Sequence, residues 1–138
     1  MGKIIGIDFG KKRIGLAITD NQKIIASPLQ TVKNKFFFKF LEDFLKTEDL
    51  EAIVLGDPKT KNNSNNELVF DLKIFHKKLK KFNIPIYFVD ERFTSKIASK
   101  IIIDANIKKM KRRDKSLVDK VSASLILETH LKQIKNRL

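Results

Sequence analysis

The hydrophobic period of the chain changes partway along, and that change restricts the folds open to it. Lys3 to Phe9 (KIIGIDF) and Arg13 to Thr19 (RIGLAIT) are short apolar runs separated by Gly10, Lys11 and Lys12, the arrangement of a β-hairpin. A third run, Lys23 to Thr31, follows the turn residues Asp20 and Asn21, so the first third reads as an antiparallel meander. From Asn34 to Thr47 the spacing becomes helical, with Phe37, Phe40, Leu41, Phe44 and Leu45 on one face. Ala52 to Gly56 (AIVLG) then reads as a buried strand, Leu68 to Phe82 as a helix and Pro85 to Val89 as a strand. Ile97 to Ala105 follows as a helix capped by Thr94 or Ser95, and Ser116 to Lys135 as the last helix. A meander feeding into alternating strand and helix predicts an α/β fold. The expected sheet is five-stranded and mixed, with strands one to three antiparallel, helices on both faces, and sites at the carboxyl ends of the parallel strands.

With 138 residues, one hydrophobic core is the economical solution, and a single domain over residues 1–138 is expected. No repeat or linker interrupts it, and two-lobed enzymes are excluded. The chain has no cysteine, which removes disulfide frameworks and thiolate zinc sites. His76 and His130 fall in basic helices and read as solvated. The apolar run at the start stops at Asp8, far short of a signal-peptide core, and no stretch of about 18 apolar residues exists. A cytoplasmic protein without a membrane role is expected.

The formal net charge is +13, carried by 29 Lys plus Arg against 16 Asp plus Glu. Lysine outnumbers arginine heavily, which codon bias alone could produce, so position is more informative than total. Between Lys108 and Lys115, six of eight residues are basic: Lys108, Lys109, Lys111, Arg112, Arg113 and Lys115. Such a run suits contact with a phosphate backbone. Phe36, Phe37 and Phe38, interleaved with Lys33, Lys35 and Lys39, have the composition of a base-stacking surface, but their helical spacing points to core packing.

Three acids carry the chemistry. Asp8 ends an apolar strand, where an ionised carboxylate is unfavourable without a cation or strong donors. Asp90 and Glu91 end a second strand, and alternation does not say which faces a site when both sheet faces are covered. Asp119 lies in the first turns of the last helix, where Ser116 to Asp119 also fits a capping box. Asp57, after AIVLG, is a fourth candidate, with Pro58 favouring a turn role. Hard oxygen ligands from three elements suit Mg or Mn, which accept phosphate oxygens from substrate. Neutralising one of several crowded, metal-free acids is expected to leave stability intact.

GIDFGKKRIGLAITD, ASPLQT, VLGDP, VDERFTS and SLVDKVSASLIL stand in this order along the chain, and in this order they resemble the YqgF (RuvX) family. That family is described both as candidate Holliday junction resolvases and as nucleases maturing the 5′ end of pre-16S ribosomal RNA. The resemblance implies an RNase H-like fold, with Asp8, Glu91 and Asp119 as catalytic, metal-binding acids and Mg or Mn as cofactor. Lys11, Lys12, Arg13 and Arg92 beside the acids, with the basic run from Lys108 to Lys115, are the expected nucleic-acid contacts. Actin-like kinases share the D-x-G-x-x-x-x-G hairpin from Asp8 to Gly15 but need a second lobe.

Three functions compete: a nuclease acting on structured precursor rRNA, a resolvase acting on branched DNA, and a non-catalytic RNA-binding assembly factor. A resolvase normally needs a symmetric dimer to place two cuts. No long apolar strip offers an obligate dimer face, so a monomer or weak homodimer is expected and RNA is favoured.

Overall fold

A computed structural model describes residues 2–57, 66–90 and 115–137. Its elements are β1 (Lys3–Asp8), β2 (Arg13–Thr19), β3 (Ala26–Lys33), α1 (Phe37–Leu45), β4 (Leu50–Asp57), α2 (Asn66–Leu79), β5 (Ile86–Asp90) and α3 (Lys115–Arg137). A 3-10 turn, Asn34–Phe36, leads into α1, and another, Lys80–Phe82, extends α2. The helix expected over Ile97 to Ala105 lies outside the described residues.

The third strand begins at Ala26 rather than Lys23, for a local reason. Lys23 takes a left-handed φ of 58°, and the Asp20 carboxylate accepts hydrogen bonds from the Ile24 and Ile25 amides at 2.8 and 3.0 Å. Those residues are committed to the turn and have left the ladder. The two amide donors, Ile25 first, hold the Asp20 carboxyl below its ordinary value.

The sheet order is β3-β2-β1-β4-β5. β1 pairs antiparallel with β2 and parallel with β4, β2 pairs antiparallel with β3, and β4 pairs parallel with β5. Side chains alternate between two covered faces. Ile5, Ile7, Ile14, Leu16, Ile53 and Leu55 meet Phe37 and Leu41 of α1 and Leu72, Phe75 and Leu79 of α2. Ile4, Ala17, Ala52, Val54 and Val89 meet Ala123, Ile126 and Leu127 of α3. The first face is lined by large residues and holds two helices. The second is lined by smaller ones and, among the described residues, lets the long helix α3 lie close to the strands.

At the far end of the sheet from Asp8, a cleft of about 660 Å³ is lined by Ile4, Ile24, Leu131 and Ile134 among charged neighbours. Ile24 is 68% exposed. Apolar surface is thus assembled there from residues distant in sequence, so the absence of a continuous apolar strip is no argument against a dimer. Among the described residues, no helix is long and apolar enough to cross a membrane.

Candidate functional site

Asp8 is the last residue of β1, and its Cα partner across the hairpin is Gly15. Directly opposed residues point to the same face of a sheet. That face is given twice over. A Cβ on Gly15 would lie 2.1 Å from the Asp119 carbonyl oxygen, and a Cβ on Gly6 would lie 2.9 Å from both the Ala123 carbonyl oxygen and Leu127 Cβ. Both glycines therefore lie directly against α3, and Asp8, two residues beyond Gly6, shares their face. Moving from Gly6 to Asp8 follows the strand toward its carboxyl end, and moving from Ala123 to Asp119 follows the helix by one turn in the same sense. Asp8 and Asp119 are thereby brought to one corner of the molecule.

Arg13 stands two residues before Gly15, on the same face of β2. Its Nε donates to Asp119 Oδ2 at 2.9 Å. The Asp119 carboxylate is thus engaged by a strand 106 positions away in sequence, and α3 already includes Lys115 and Ser116. Ser116 is inside the helix rather than at its cap, so the capping-box reading of Asp119 gives way to one in which this side chain faces the sheet.

The hairpin tip is tied down. A Cβ on Gly10 would lie 2.4 Å from the Arg13 carbonyl oxygen, so only glycine lets the chain reverse so tightly here. Asn34 Nδ2 donates to the Gly10 carbonyl at 2.7 Å, and the Asn34 amide to the Lys12 carbonyl at 2.9 Å. This holds the tip against the end of β3. Lys11 pairs with Glu67 in the first turn of α2, and Lys12 is exposed.

Strand parity separates the remaining acids. Asp57 and Asp90 are register partners on β4 and β5. They share the face of Ile53, Leu55 and Ile86, the side of α1 and α2, opposite to Asp8. Neither joins the corner. Glu91, Arg92, Lys108, Lys109, Lys111, Arg112 and Arg113 lie outside the described residues, and Lys115 is the first residue of α3. Among the described residues, no group of three or more metal-ligating side chains forms.

His130 is buried and His76 half-buried, which differs from the solvated side chains expected of their basic helices. His76 packs edge-on against Phe88 at 4.9 Å; burial, with a contribution from Lys80, lowers its pKa below 6.5. His130 is buried beside Tyr87, with ring centroids 5.1 Å apart. It lies eleven residues beyond Asp119 on α3, about 16 Å along the axis, and belongs to packing rather than to the acid corner. Gly6 and Gly15 are the positioning residues the sequence reading passed over. Glycine inside an apolar strand is the signal that marks close approach by another backbone.

The sequence model of the RuvX family, described as "Holliday junction resolvase", matches residues 2–133. A protein of Porphyromonas gingivalis named "Putative pre-16S rRNA nuclease" is 47% identical over 123 residues, covering 88% of this chain and 89% of its own length. One of Christiangramia forsetii with the same name is 46% identical, covering 88% and 91%. Among solved structures, Thermus thermophilus RuvC in complex with a Holliday junction substrate superposes with a TM-score of 0.61 at 17% identity, covering 98% of this chain and 96% of that one. The Fowlpox virus resolvase bound to Holliday junction DNA gives 0.56 at 14% identity, covering 96% and 98%. These last two establish a RuvC-like, RNase H-like fold, and the near-complete sequence match establishes that the chain belongs to the RuvX family.

Proposed function

We propose that this chain is a divalent-metal-dependent endonuclease that hydrolyses a phosphodiester bond near the 5′ end of pre-16S ribosomal RNA, with Asp8, Glu91 and Asp119 as its metal-binding, catalytic acids. The observation that carries the reading is the corner where Asp8 and Asp119 share one face at the carboxyl end of β1, with Arg13 bound to Asp119. The RNA substrate is supported by the names of relatives at 46 and 47% identity. Asp90 faces the other side of the sheet, which supports Glu91 as the acid of the DER block in this reading.

The donor set fits Mg or Mn: carboxylates from separate elements, hard oxygen ligands without sulfur or imidazole. Asp8, Glu91 and Asp119 would hold the ion, which when bound supplies water activation and stabilisation of the leaving oxygen. The chain itself does the positioning. Gly15 and Gly6 hold α3 against the strands, which brings the turn carrying Asp119 to the end of β1 where Asp8 stands. Arg13 orients that carboxylate through Nε and keeps further N–H donors for a phosphate oxygen, offsetting the repulsion between substrate and acids. Lys12 at the tied hairpin tip, Arg92 and the run from Lys108 to Lys115 add ground-state phosphate contacts. Lys11 joins them once it exchanges Glu67 for a phosphate.

Resolution of branched DNA is the second reading, favoured by the family's description and by the junction complexes of the structural neighbours. The experiment is cleavage in Mg or Mn of a precursor 5′ rRNA fragment and a four-way DNA junction side by side, with Asp8→Asn as control. Cutting of the RNA alone supports the proposal. Cutting of the junction alone replaces it, and tight RNA binding with no turnover on either substrate makes the chain an assembly factor.

A further inference from the structure

The aromatic cluster Phe36, Phe37, Phe38 divides in the structure. Phe37 is fully buried, and Phe38 packs on Phe75 and Phe82 at 5.3 and 6.1 Å. Phe36, in the turn between β3 and α1, stays 54% exposed. Consecutive residues of a helical turn point about 100° apart, so three in a row cannot all face one core. Core packing accounts for two rings and leaves the third.

What surrounds that ring is cationic. Phe36 lines a cleft of about 340 Å³ with Val32, Lys33, Lys39, Phe40 and Asp43. Lys33, Lys35 and Lys39 are exposed, and Lys35 Nζ lies 5.1 Å from the Phe36 ring centroid. Asp43, the acid that lines the cleft among the described residues, is paired with Lys46 at 3.3 Å. An apolar protein partner would have to desolvate three ammonium groups here without compensation. A base with its flanking phosphates offers a flat face for the ring and anions for the lysines, the combination by which unpaired nucleic acid is held without sequence preference.

The cleft opens on the α1 side of the sheet, and Lys33 connects it, around the β3 edge, to the face that carries the acid corner. Lys33 is the register partner of Arg13, and β3 is two strand spacings, about 10 Å, from β1. A strand leaving the corner over Arg13 passes Lys33 and reaches Phe36 at the sheet edge.

We propose that Phe36 is the stacking platform for an unpaired base on the strand that leads away from the reacting phosphate around the β3 edge, with Lys33, Lys35 and Lys39 on the phosphates flanking that base. This rests on the nuclease reading of the Asp8 corner and narrows it, because the preferred substrate then carries a single-stranded extension beside the cut. A fully paired four-way junction has none to offer.

The chain has no tryptophan, so Phe36→Trp places a single fluorescent reporter at the platform. The full-length variant is titrated with a short oligouridylate, a blunt RNA duplex, and the same duplex carrying an unpaired extension. Indole emission should be quenched by the oligouridylate and the extended duplex and not by the blunt one. Phe36→Ala should weaken the extended duplex by about tenfold, leave blunt-duplex affinity unchanged, and be rescued by Phe36→Trp but not by Phe36→Leu. Equal affinity of wild type and Phe36→Ala for the extended duplex, or an indole that stays unquenched at saturation, overturns the platform and leaves the nuclease reading standing. Failure of the wild type to bind any of the three overturns both.

Discussion

An ideal Cβ on Gly15 would sit 2.1 Å from the carbonyl oxygen of Asp119, so β2 and α3 meet there backbone to backbone. Gly15→Ala forces the helix away, since a backbone oxygen cannot rotate aside as a side chain would. We expect a loss of about 3 kcal/mol, the upper part of the usual range for overpacking, measured by urea unfolding. Cleavage should fall further than stability, because the displaced turn carries Asp119. Gly6→Ala, whose Cβ would lie 2.9 Å from its nearest neighbours, should cost less in both.

Asp8→Asn and Asp119→Asn should each abolish cleavage in Mg or Mn while leaving nucleic-acid affinity equal or higher. Neutralising Asp119 discards its 2.9 Å ion pair with Arg13, a partly exposed contact worth no more than about 1 kcal/mol. The general expectation that removing one of several crowded acids leaves stability intact is therefore corrected for Asp119. An active Asp119→Asn enzyme with normal metal dependence would remove this residue from the site.

Arg13→Gln should weaken substrate binding and flatten its logarithmic salt dependence by about 0.7 to 0.9, one phosphate contact. It should also lower turnover at saturating substrate, because the Asp119 carboxylate loses the donor that orients it. A change in salt slope with unaltered turnover would limit Arg13 to binding.

Neutralising Lys111, Arg112 and Arg113 together should flatten the salt slope by about two if most of them engage phosphate. Turnover at saturation should persist, since these groups contact ground state and transition state alike. An unchanged slope would mark the run as a solvated charge cluster.

His76 has a folded-state pKa below its ordinary 6.5, from burial first and Lys80 second. The unfolded chain then binds a proton more readily than the folded one, so the stability tied to neutral His76 is complete above pH 6.5 and is lost as pH falls through the folded value. Unfolding followed below pH 6.5 should show a shallower pH dependence in His76→Gln than in wild type.

Asp8 was legible because a carboxylate ends an otherwise apolar strand, and β1, β2 and the α/β alternation were legible from period alone. The orientation of Asp119 was not. Ligand and capping residue use the same local pattern, and the deciding partner, Arg13, is 106 positions away. The facing of Asp90 likewise needed the register of β5 on β4, which assigns it to the α2 side. The histidines misled because helix composition reports charge along the chain, whereas burial depends on the aromatic residue that β5 presents opposite. Phe36 escaped because three consecutive aromatics were given a single role.

Because Gly15 meets α3 at the Asp119 carbonyl and Gly6 meets it at the Ala123 carbonyl and the Leu127 side chain, the placement of the turn that carries Asp119 depends on few of the side chains around it. Mutational drift can then enrich the surface in lysine and the core in phenylalanine without shifting the separation of Asp8 and Asp119. A scan of all substitutions should accordingly find Gly15, a residue with no side chain at all, among its least permissive positions.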